Sequence, residues 1–364
     1  MANCVIQGVQ VAGVASAVPA ATRSVQDEAA YFGAEAAAKI SQSVGVNVRH
    51  VVPPGVCTSD LCAAAAERLL EDLNWKREEV RALIFITQTP DYVLPATSHA
   101  LHQNLNLPVS CCVFDVNLGC SGYVYGLWLA SSIATTLRGK VLLLVGDTVS
   151  RICSPQDRSV AFLFGDAGTA TALGPVPDAP PMYFELGSDG SGVKSLIVPA
   201  GGFRQPRDGS TPVRALREDG CVRSDEDLYM EGPEIFTFTL RRVPPLVNEM
   251  LRASGCEMED VDAFIFHQAN QFMLDHLAKK LKVPPEKFVA GMKEYGNTSS
   301  ASIPLAITTN PLREKLERGP ERLLLAGFGV GFSWGGAVLT LGPGVFPRVV
   351  EYRAAAPESL GSGA

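Results

Sequence analysis

The sequence predicts an α/β protein made of two related halves, and two pairs of similar segments carry this prediction. Residues 80–86 (VRALIFI) resemble residues 261–267 (VDAFIFH), and residues 140–146 (KVLLLVG) resemble residues 321–327 (ERLLLAG). The same interval separates the members of both pairs, which is hard to obtain by chance. All four segments are rich in Val, Ile, Leu and Phe, which is typical of strands covered on both faces.

Composition agrees with a compact α/β protein. The chain has 364 residues, of which 46% are hydrophobic, and it contains 34 glycines. This length is enough for two domains with large cores. The formal net charge is −7, and the basic residues are scattered along the chain. We therefore expect neither nucleic acid nor an anionic membrane as a partner.

The two halves are expected to meet in the most proline-dense stretch, residues 174–181 (GPVPDAPP). Such a stretch punctuates secondary structure. The predicted division is a first half over 1–175, a second half over 176–345 and a tail over 346–364. In open α/β folds, sites form beyond the carboxyl ends of the strands. Residues that follow corresponding strands of the two halves can therefore converge on one pocket.

The nine cysteines predict neither a disulfide framework nor a zinc site, because their number is odd and no C-x-x-C pair occurs. Reduced thiols are typical of the cytoplasm, where we expect the protein. The N-terminal segment MANCVIQGVQV lacks the basic region of a signal peptide. No apolar run reaches the ~20 residues that a membrane helix needs.

Several motifs that suggest ligands fail in detail. His99 and His102 have the spacing of metal ligands on a helix, but they lack a nearby third ligand. The glycine-rich segments 187–195 and 327–331 match neither a phosphate-binding loop nor a dinucleotide fingerprint. We therefore expect no metal and no cofactor.

A candidate nucleophile lies in the stretch from 113 to 137. A strand-like run (VFDV) turns at 117–119 (NLG) into a helical segment that is apolar around nearly its whole circumference, which predicts a buried helix. Cys120 stands at the mouth of that helix, where N–H groups and the helix dipole favour a thiolate. We therefore expect a lowered pKa for Cys120, although a cysteine taken alone is more often a small buried hydrophobe.

His267 and Asn297 are the predicted polar partners of this cysteine. His267 ends the predicted strand 263–266, ahead of a predicted helix over 271–281, and Asn297 follows a glycine in GNTSSASIP. Alone, the histidine would be a core or cap residue and the asparagine a turn former. Together, at matching positions of a duplicated fold, they suit covalent catalysis by a thiolate with two hydrogen-bond donors for an oxyanion.

Four ordered motifs resemble the β-ketoacyl-acyl-carrier-protein synthase III family of the thiolase superfamily. They are the elbow around Cys120, HQAN at 267–270, GNTSSASIP at 296–304 and GFGVGFSWGG at 327–336. The resemblance runs from the first strand to about Leu341. It implies a five-layered αβαβα fold, usually a homodimer, that condenses an acyl thioester with a malonyl thioester and releases carbon dioxide. The implied substrates are acyl-CoA or acyl carrier protein thioesters and malonyl carrier protein, with no cofactor.

The resemblance also implies roles for individual residues. Cys120 would carry the acyl group, and His267 and Asn297 would bind the malonyl thioester carbonyl. The backbone N–H groups of Cys120 and Val330 would form the oxyanion hole. Phe328 would pack beside the malonyl carboxylate, although an ordinary core position suits it equally well.

Substrate contacts are implied for a further set of residues. Leu94 replaces a phenylalanine that closes the acyl pocket across the dimer in some family members, so a longer or functionalised acyl group is expected. Arg158 is implied to contact coenzyme A. Phe164, Asn270 and Gly232 are implied as further substrate contacts.

Departures from the family pattern concern the coenzyme and the carrier protein. Lys39 and Ser43 stand where the family has the Trp and Arg that clamp the adenine. Phe272 and Thr237 replace basic residues near the tunnel. Two lysines of one predicted helix, Lys279 and Lys280, remain candidates for contact with an acidic carrier protein, or serve only solubility.

Two other functions stay open from the sequence. An acyltransferase on the same fold would pass the acyl group to a nucleophile other than malonate, but it usually loses the asparagine found here as Asn297. A non-catalytic partner subunit of a dimer would have lost the nucleophile.

Overall fold

The computed structural model describes residues 2–309 and 311–354, which form a mixed α/β fold. The strands are β1 (Ala2–Ile6), β2 (Val9–Pro19), β3 (Thr22–Ser24), β4 (Val48–His50), β5 (Val80–Ile86), β6 (Cys112–Val116), β7 (Lys140–Asp147), β8 (Ala167–Pro175), β9 (Met182–Ser188), β10 (Leu196–Ile197), β11 (Ala215–Leu216), β12 (Val222–Arg223), β13 (Tyr229–Met230), β14 (Ala263–Phe266), β15 (Phe288–Val289), β16 (Glu321–Gly329), β17 (Ser333–Leu341) and β18 (Val350–Tyr352). The α-helices are α1 (Val25–Phe32), α2 (Ala34–Val44), α3 (Thr58–Asp72), α4 (Thr97–Asn104), α5 (Gly122–Leu137), α6 (Gly232–Ser254), α7 (Gln271–Leu281), α8 (Met292–Tyr295), α9 (Ser302–Ile307) and α10 (Leu312–Arg318).

Two six-stranded sheets repeat one strand order. The first sheet runs β18-β2-β8-β7-β5-β6 and the second runs β1-β9-β17-β16-β14-β15. Apart from the outer strands β18 and β1, each strand of one sheet has its counterpart in the other. The segments with similar sequences are β5 and β14, each the fifth strand of its sheet in the orders above, and β7 and β16, each the fourth strand. The predicted duplication is therefore confirmed.

Helices cover both sheets and fill the space between them. Helix α3 packs on β2, β7 and β8, and α6 packs on β9, β16 and β17. Helices α5 and α9 lie between the sheets, since α5 contacts β5 and β7 of one sheet and β16 and β17 of the other, and α9 contacts β2 and β14. This arrangement gives the five layers that the family resemblance implies.

Helix α5 approaches the first sheet closely because Gly126 has no side chain. A Cβ atom there would lie 2.4 Å from Cδ1 of Ile86 and 2.8 Å from Cδ1 of Leu143. Both neighbours are fully buried in the core between the sheets. This close packing fixes the helix that begins just after Cys120.

Two edge strands pair across the predicted division of the chain. Strand β1, assigned to the first half by its position, pairs antiparallel with β9 of the second sheet. Strand β18, placed in the predicted tail 346–364, pairs in parallel with β2 of the first sheet. Short edge strands give a weak sequence pattern, and their partners lie far away in the chain. Residues 355–364 of the predicted tail lie outside the described residues.

None of the helices within the described ranges is both long and apolar enough to cross a membrane.

Leu143 offers a direct test of the core between the sheets. Leu143→Ala should lower the free energy of unfolding by about 2–5 kcal/mol, because it leaves a cavity against α5. Urea unfolding at fixed protein concentration measures this change. The matched control is Leu216→Ala, because Leu216 is 73% exposed. Equal losses for the two variants would contradict the assigned packing.

Candidate active site

Cys120 lies in the turn between β6 and α5, as predicted. Its residue is only 6% exposed, and the N–H of Gly122 donates to the carbonyl of Gly119 to close the turn. The next residue, Ser121, joins the elbow to β17 through a 2.7 Å hydrogen bond with the Ser333 hydroxyl. The elbow of the first half is thus held directly by a strand of the second half.

Two glycines of β16 make room for this elbow. A Cβ atom at Gly329 would lie 2.6 Å from Cβ and 3.0 Å from Sγ of Cys120, and one at Gly327 would lie 3.0 Å from Cα of Ser121. The GFGVG motif therefore has a steric purpose, since only residues without a side chain allow the nucleophile and the end of β16 to meet.

A cavity of about 390 Å³ opens onto Cys120. Phe164 and Val330, two of the predicted site residues, line it together with Cys120. The other lining residues are mostly apolar: Gln88, Thr89, Asn117, Val149, Ile152, Val193, Leu196, Ile197, Val198, Leu228, Ser299 and Gly331. Such a cavity suits an alkyl chain or a pantetheine arm.

The lowered pKa predicted for Cys120 is wrong. Burial raises the pKa of the Cys120 thiol to about 12, and the negative charge of Asp147 adds to this rise. Hydrogen bonds from the Ser299 hydroxyl and from the N–H groups of Cys120 and Val330 favour the thiolate, but they do not offset burial. The resting nucleophile is therefore a thiol. The same two N–H groups lie beside the sulfur, close to where the carbonyl oxygen of an acyl group on Cys120 would need oxyanion-hole donors.

His267 follows β14 and is buried, and it is not among the residues that line the cavity at Cys120. Its Nδ1 lies 2.7 Å from the Ser302 hydroxyl, and its ring meets that of Phe328 edge-to-face at 5.5 Å. Burial lowers the pKa of His267 to about 3, although a hydrogen bond to the Ser299 backbone opposes the shift. The imidazole is therefore neutral at physiological pH. Because the Ser302 hydroxyl can donate or accept, it can support either tautomer.

The Asn297 amide is fixed by the backbone around it. Its Nδ2 donates to the carbonyl of Ala269 at 3.2 Å, and its Oδ1 accepts the N–H of Ser299 at 2.9 Å. The Asn297 N–H donates to the carbonyl of Leu163, and its own carbonyl accepts the N–H of Gly165. One N–H of the amide remains available for a substrate oxygen.

The structure does not bring every predicted residue to this site. Leu94 is 78% exposed and does not line the cavity of its own chain. Arg158 is exposed and donates to the carbonyl of Asp219. Asn270 caps α7 by accepting the N–H of Met273, which is a structural use of its side chain. Gly232 faces open space at the start of α6.

The residues at the positions that would contact coenzyme A or the carrier protein lie on helix surfaces. Lys39 pairs with Glu35 on α2, with both side chains largely exposed. Phe272 is exposed and stacks on Phe236 at 5.5 Å. Lys280 donates to the carbonyl of Leu240.

The sequence-based prediction missed two residues near the nucleophile. Ser299 brings its hydroxyl to 4.0 Å from the Cys120 sulfur. Asp147 is fully buried at the end of β7 and accepts hydrogen bonds from Ser300. Asp147 could have been found from the sequence, because it is a carboxylate at the end of an apolar strand. Ser299 could not, because it lies in a run of small residues with no distinguishing pattern.

Comparison with known proteins agrees with the fold. Residues 114–190 match the family model of 3-oxoacyl-[acyl-carrier-protein] synthase III, and residues 251–341 match the model of its C-terminal region. A 3-oxoacyl-(acyl-carrier protein) synthase from Burkholderia xenovorans is 44% identical, with a TM-score of 0.91 over 96% of this chain and 99% of the other.

Two further relatives extend the comparison. A β-ketoacyl-[acyl-carrier-protein] synthase III of Streptomyces coelicolor is 38% identical over 83% of this chain and 88% of its own. The priming β-ketosynthase of the R1128 polyketide biosynthetic pathway is 26% identical, with a TM-score of 0.77 over 94% of this chain and 98% of the other. Fold and site together define a condensing enzyme of the thiolase superfamily. Within that superfamily, the chain belongs to the 3-oxoacyl-[acyl-carrier-protein] synthase III family, and the predicted resemblance is confirmed.

Gly329→Ala tests the close approach of β16 to the nucleophile. The added methyl group would overlap Cβ of Cys120, so we expect the free energy of unfolding to fall by about 1–3 kcal/mol. Gly190→Ala is the control, because no atom lies within 4 Å of a Cβ there. Urea unfolding that ranks the two variants equally would contradict the described packing.

The pH dependence of Cys120 alkylation tests its raised pKa. With a pKa of about 12, the thiolate fraction should keep rising about tenfold per pH unit from pH 7 to 10, whereas an ordinary cysteine of pKa about 8.5 levels off within this range. Iodoacetamide labelling followed by peptide mass spectrometry gives the rate at Cys120. A rate that levels off by pH 8 would show a lowered pKa instead.

Proposed function

We propose that this chain condenses an acyl thioester with malonyl carrier protein and releases carbon dioxide. One observation carries the proposal. The Cys120 thiol opens into an apolar cavity, with the N–H groups of Cys120 and Val330 directed at its sulfur. Membership of the synthase III family supports both the reaction and the carrier-bound substrate.

In the first step, the Cys120 sulfur attacks the carbonyl carbon of the acyl thioester. Because the resting group is a thiol, its proton must leave as the C–S bond forms, and neutral His267 is the base that we propose. The carbonyl oxygen becomes an oxyanion held by the two backbone N–H groups. Collapse of this intermediate expels the donor thiolate, which takes the proton from His267. The products are the acyl-enzyme and a free thiol.

In the second step, the malonyl thioester loses its carboxylate as carbon dioxide, and the electron pair of the broken C–C bond moves into an enolate. His267 and Asn297 would donate hydrogen bonds to the thioester oxygen, which becomes negative. Phe328 packs against the His267 ring. We propose that its apolar face disfavours the charged carboxylate and so promotes its loss.

In the third step, the enolate carbon attacks the acyl carbonyl on Cys120. The oxyanion again forms at the N–H groups of Cys120 and Val330, and collapse breaks the C–S bond. The Cys120 thiolate takes up a proton from solvent, and a 3-oxoacyl carrier protein leaves.

We also propose the kind of acyl donor and the oligomeric state. Leu94 and its exposed neighbours Tyr92 and Val93 form an apolar loop away from the Cys120 cavity of their own chain. We propose a homodimer in which this loop closes the partner's acyl pocket, with Leu94 leaving room for a longer or functionalised acyl chain. Arg158 would contact a coenzyme A donor.

Intact-protein mass spectrometry with a panel of acyl-CoA and acyl carrier protein donors tests the function. The wild-type protein should gain one acyl group and lose it when malonyl carrier protein is added. Cys120→Ser should gain none, whereas Cys112→Ser, which changes an exposed cysteine, should behave like wild type. His267→Ala and Asn297→Ala should slow ketoacyl formation about 100-fold or more.

Two results would contradict this account. Acylation of the Cys120→Ser variant would place the acyl group on another residue. Discharge of the wild-type acyl-enzyme to an alcohol or amine, but not to malonyl carrier protein, would assign the chain to acyl transfer without condensation.

A further inference from the structure

Ser299 has a backbone conformation that local structure does not explain. Its φ angle is +51°, in the left-handed region that side chains other than glycine rarely adopt. The other non-glycine residues with positive φ in the described ranges are Asn74, Asn106, Arg138 and Lys282, and each stands just past the end of a helix. Left-handed residues are ordinary there. Ser299 instead begins a short 3₁₀ turn after Asn297. Backbone strain of this kind is typical of functional sites.

This conformation lets one residue reach all three candidate catalytic groups. The Ser299 hydroxyl lies 4.0 Å from the Cys120 sulfur, within hydrogen-bond range for sulfur, and it also hydrogen-bonds to the Asp147 carboxylate. The Ser299 N–H donates to Oδ1 of Asn297, and the Ser299 backbone hydrogen-bonds to His267. Cys120 belongs to the first half of the fold, and the other two belong to the second.

A buried carboxylate holds the strained turn in place. Asp147, at the end of β7, accepts the Ser300 N–H at 3.2 Å and the Ser300 hydroxyl at 2.6 Å. It also accepts the N–H of Gln88 at 2.7 Å. No ion pair within residues 2–309 and 311–354 involves Asp147. A buried carboxylate without a cation depends on its hydrogen-bond donors, so Ser300 is held firmly and Ser299 with it.

We infer that Ser299 is a positioning residue with two separable tasks, an inference that rests on the proposed function. Its hydroxyl stabilises the Cys120 sulfur as that sulfur loses its proton. Its backbone N–H orients the Asn297 amide, so that the free N–H of Asn297 faces the malonyl thioester. The first task serves acylation, and the second serves decarboxylation.

Two substitutions of Ser299 separate these tasks. Ser299→Gly removes the hydroxyl but keeps the backbone, because glycine adopts positive φ readily. Ser299→Thr keeps the hydroxyl, but its β-branched side chain disfavours the left-handed conformation and should displace the N–H. The two variants are therefore expected to fail in different assays.

The assays are alkylation of Cys120 by iodoacetamide at pH 9 and decarboxylation of malonyl carrier protein without an acyl donor. Ser299→Gly should slow alkylation about three- to tenfold, the worth of one hydrogen bond, and leave decarboxylation within about twofold of wild type. Ser299→Thr should slow decarboxylation about tenfold or more, with alkylation little changed. Ser110→Thr, in the exposed turn before β6, is the control and should alter neither rate.

Ser300→Ala is a second variant that tests whether the Ser299 backbone orients Asn297. It removes the hydroxyl bond to Asp147 while leaving Ser299 intact, so it should slow decarboxylation more than alkylation. This variant replaces Ser299→Thr if the latter does not fold, as judged by its melting temperature.

The inference is overturned if the Gly and Thr variants fail in the same assay, or if both retain both rates. Crystal structures of the two variants give a readout that is independent of the proposed function. The Asn297 amide should keep its position in Ser299→Gly and shift in Ser299→Thr. If wild-type protein does not decarboxylate malonyl carrier protein, the proposed function fails, and the alkylation rates and crystal structures still decide the role of Ser299.

Discussion

The site depends on how the end of β7 in the first half is joined to the loop after Asn297 in the second. Asp147 makes this connection, because its buried carboxylate accepts hydrogen bonds from Ser300 and from the Gln88 N–H. A buried charge requires such donors, so the two halves are locked at the point where the chemistry takes place. The Ser121–Ser333 hydrogen bond makes a second connection on the other side of the nucleophile.

This arrangement has an electrostatic consequence for the nucleophile. Burial beside a carboxylate raises the pKa of the Cys120 thiol, which by itself disfavours attack on a thioester. The same burial strengthens the hydrogen bonds that hold an oxyanion, because electrostatic interactions are stronger away from bulk solvent. Burial also keeps His267 neutral, so a proton that its ring takes from the thiol passes on to the leaving thiolate and does not stay on the ring. The site is therefore organised around charge that develops during the reaction.

Much of this could be predicted from the sequence. The repeated strands, the buried helix after Cys120, strand β14 and helix α7 all follow from periodicity and apolar composition, and the observed bounds Ala263–Phe266 and Gln271–Leu281 match the predicted ones. The family resemblance implies an oxyanion hole formed by Cys120 and Val330, and both residues line the same cavity. These features are local, or they repeat, and therefore leave a pattern in the chain.

The remaining features depend on contacts between distant segments. The exchange of β1 and β18 between the sheets concerns short edge strands with remote partners. The direction of the Cys120 pKa shift depends on burial and on Asp147, whereas the sequence displayed only the helix end. Asn270 looked like a binding residue, but it caps α7. The left-handed Ser299 adjoins Ser300, which donates hydrogen bonds to Asp147, and a run of small hydroxyl residues gives no sequence signal for this conformation.

The central claim is that the acyl group on Cys120 leaves by condensation coupled to decarboxylation. A single-turnover experiment tests it, with preformed acyl-enzyme and malonyl carrier protein labelled with ¹³C in its free carboxylate. We expect one labelled carbon dioxide for each 3-oxoacyl product, formed as the acyl group leaves Cys120. Loss of the acyl group without labelled carbon dioxide, or a product that retains the label, would contradict the account.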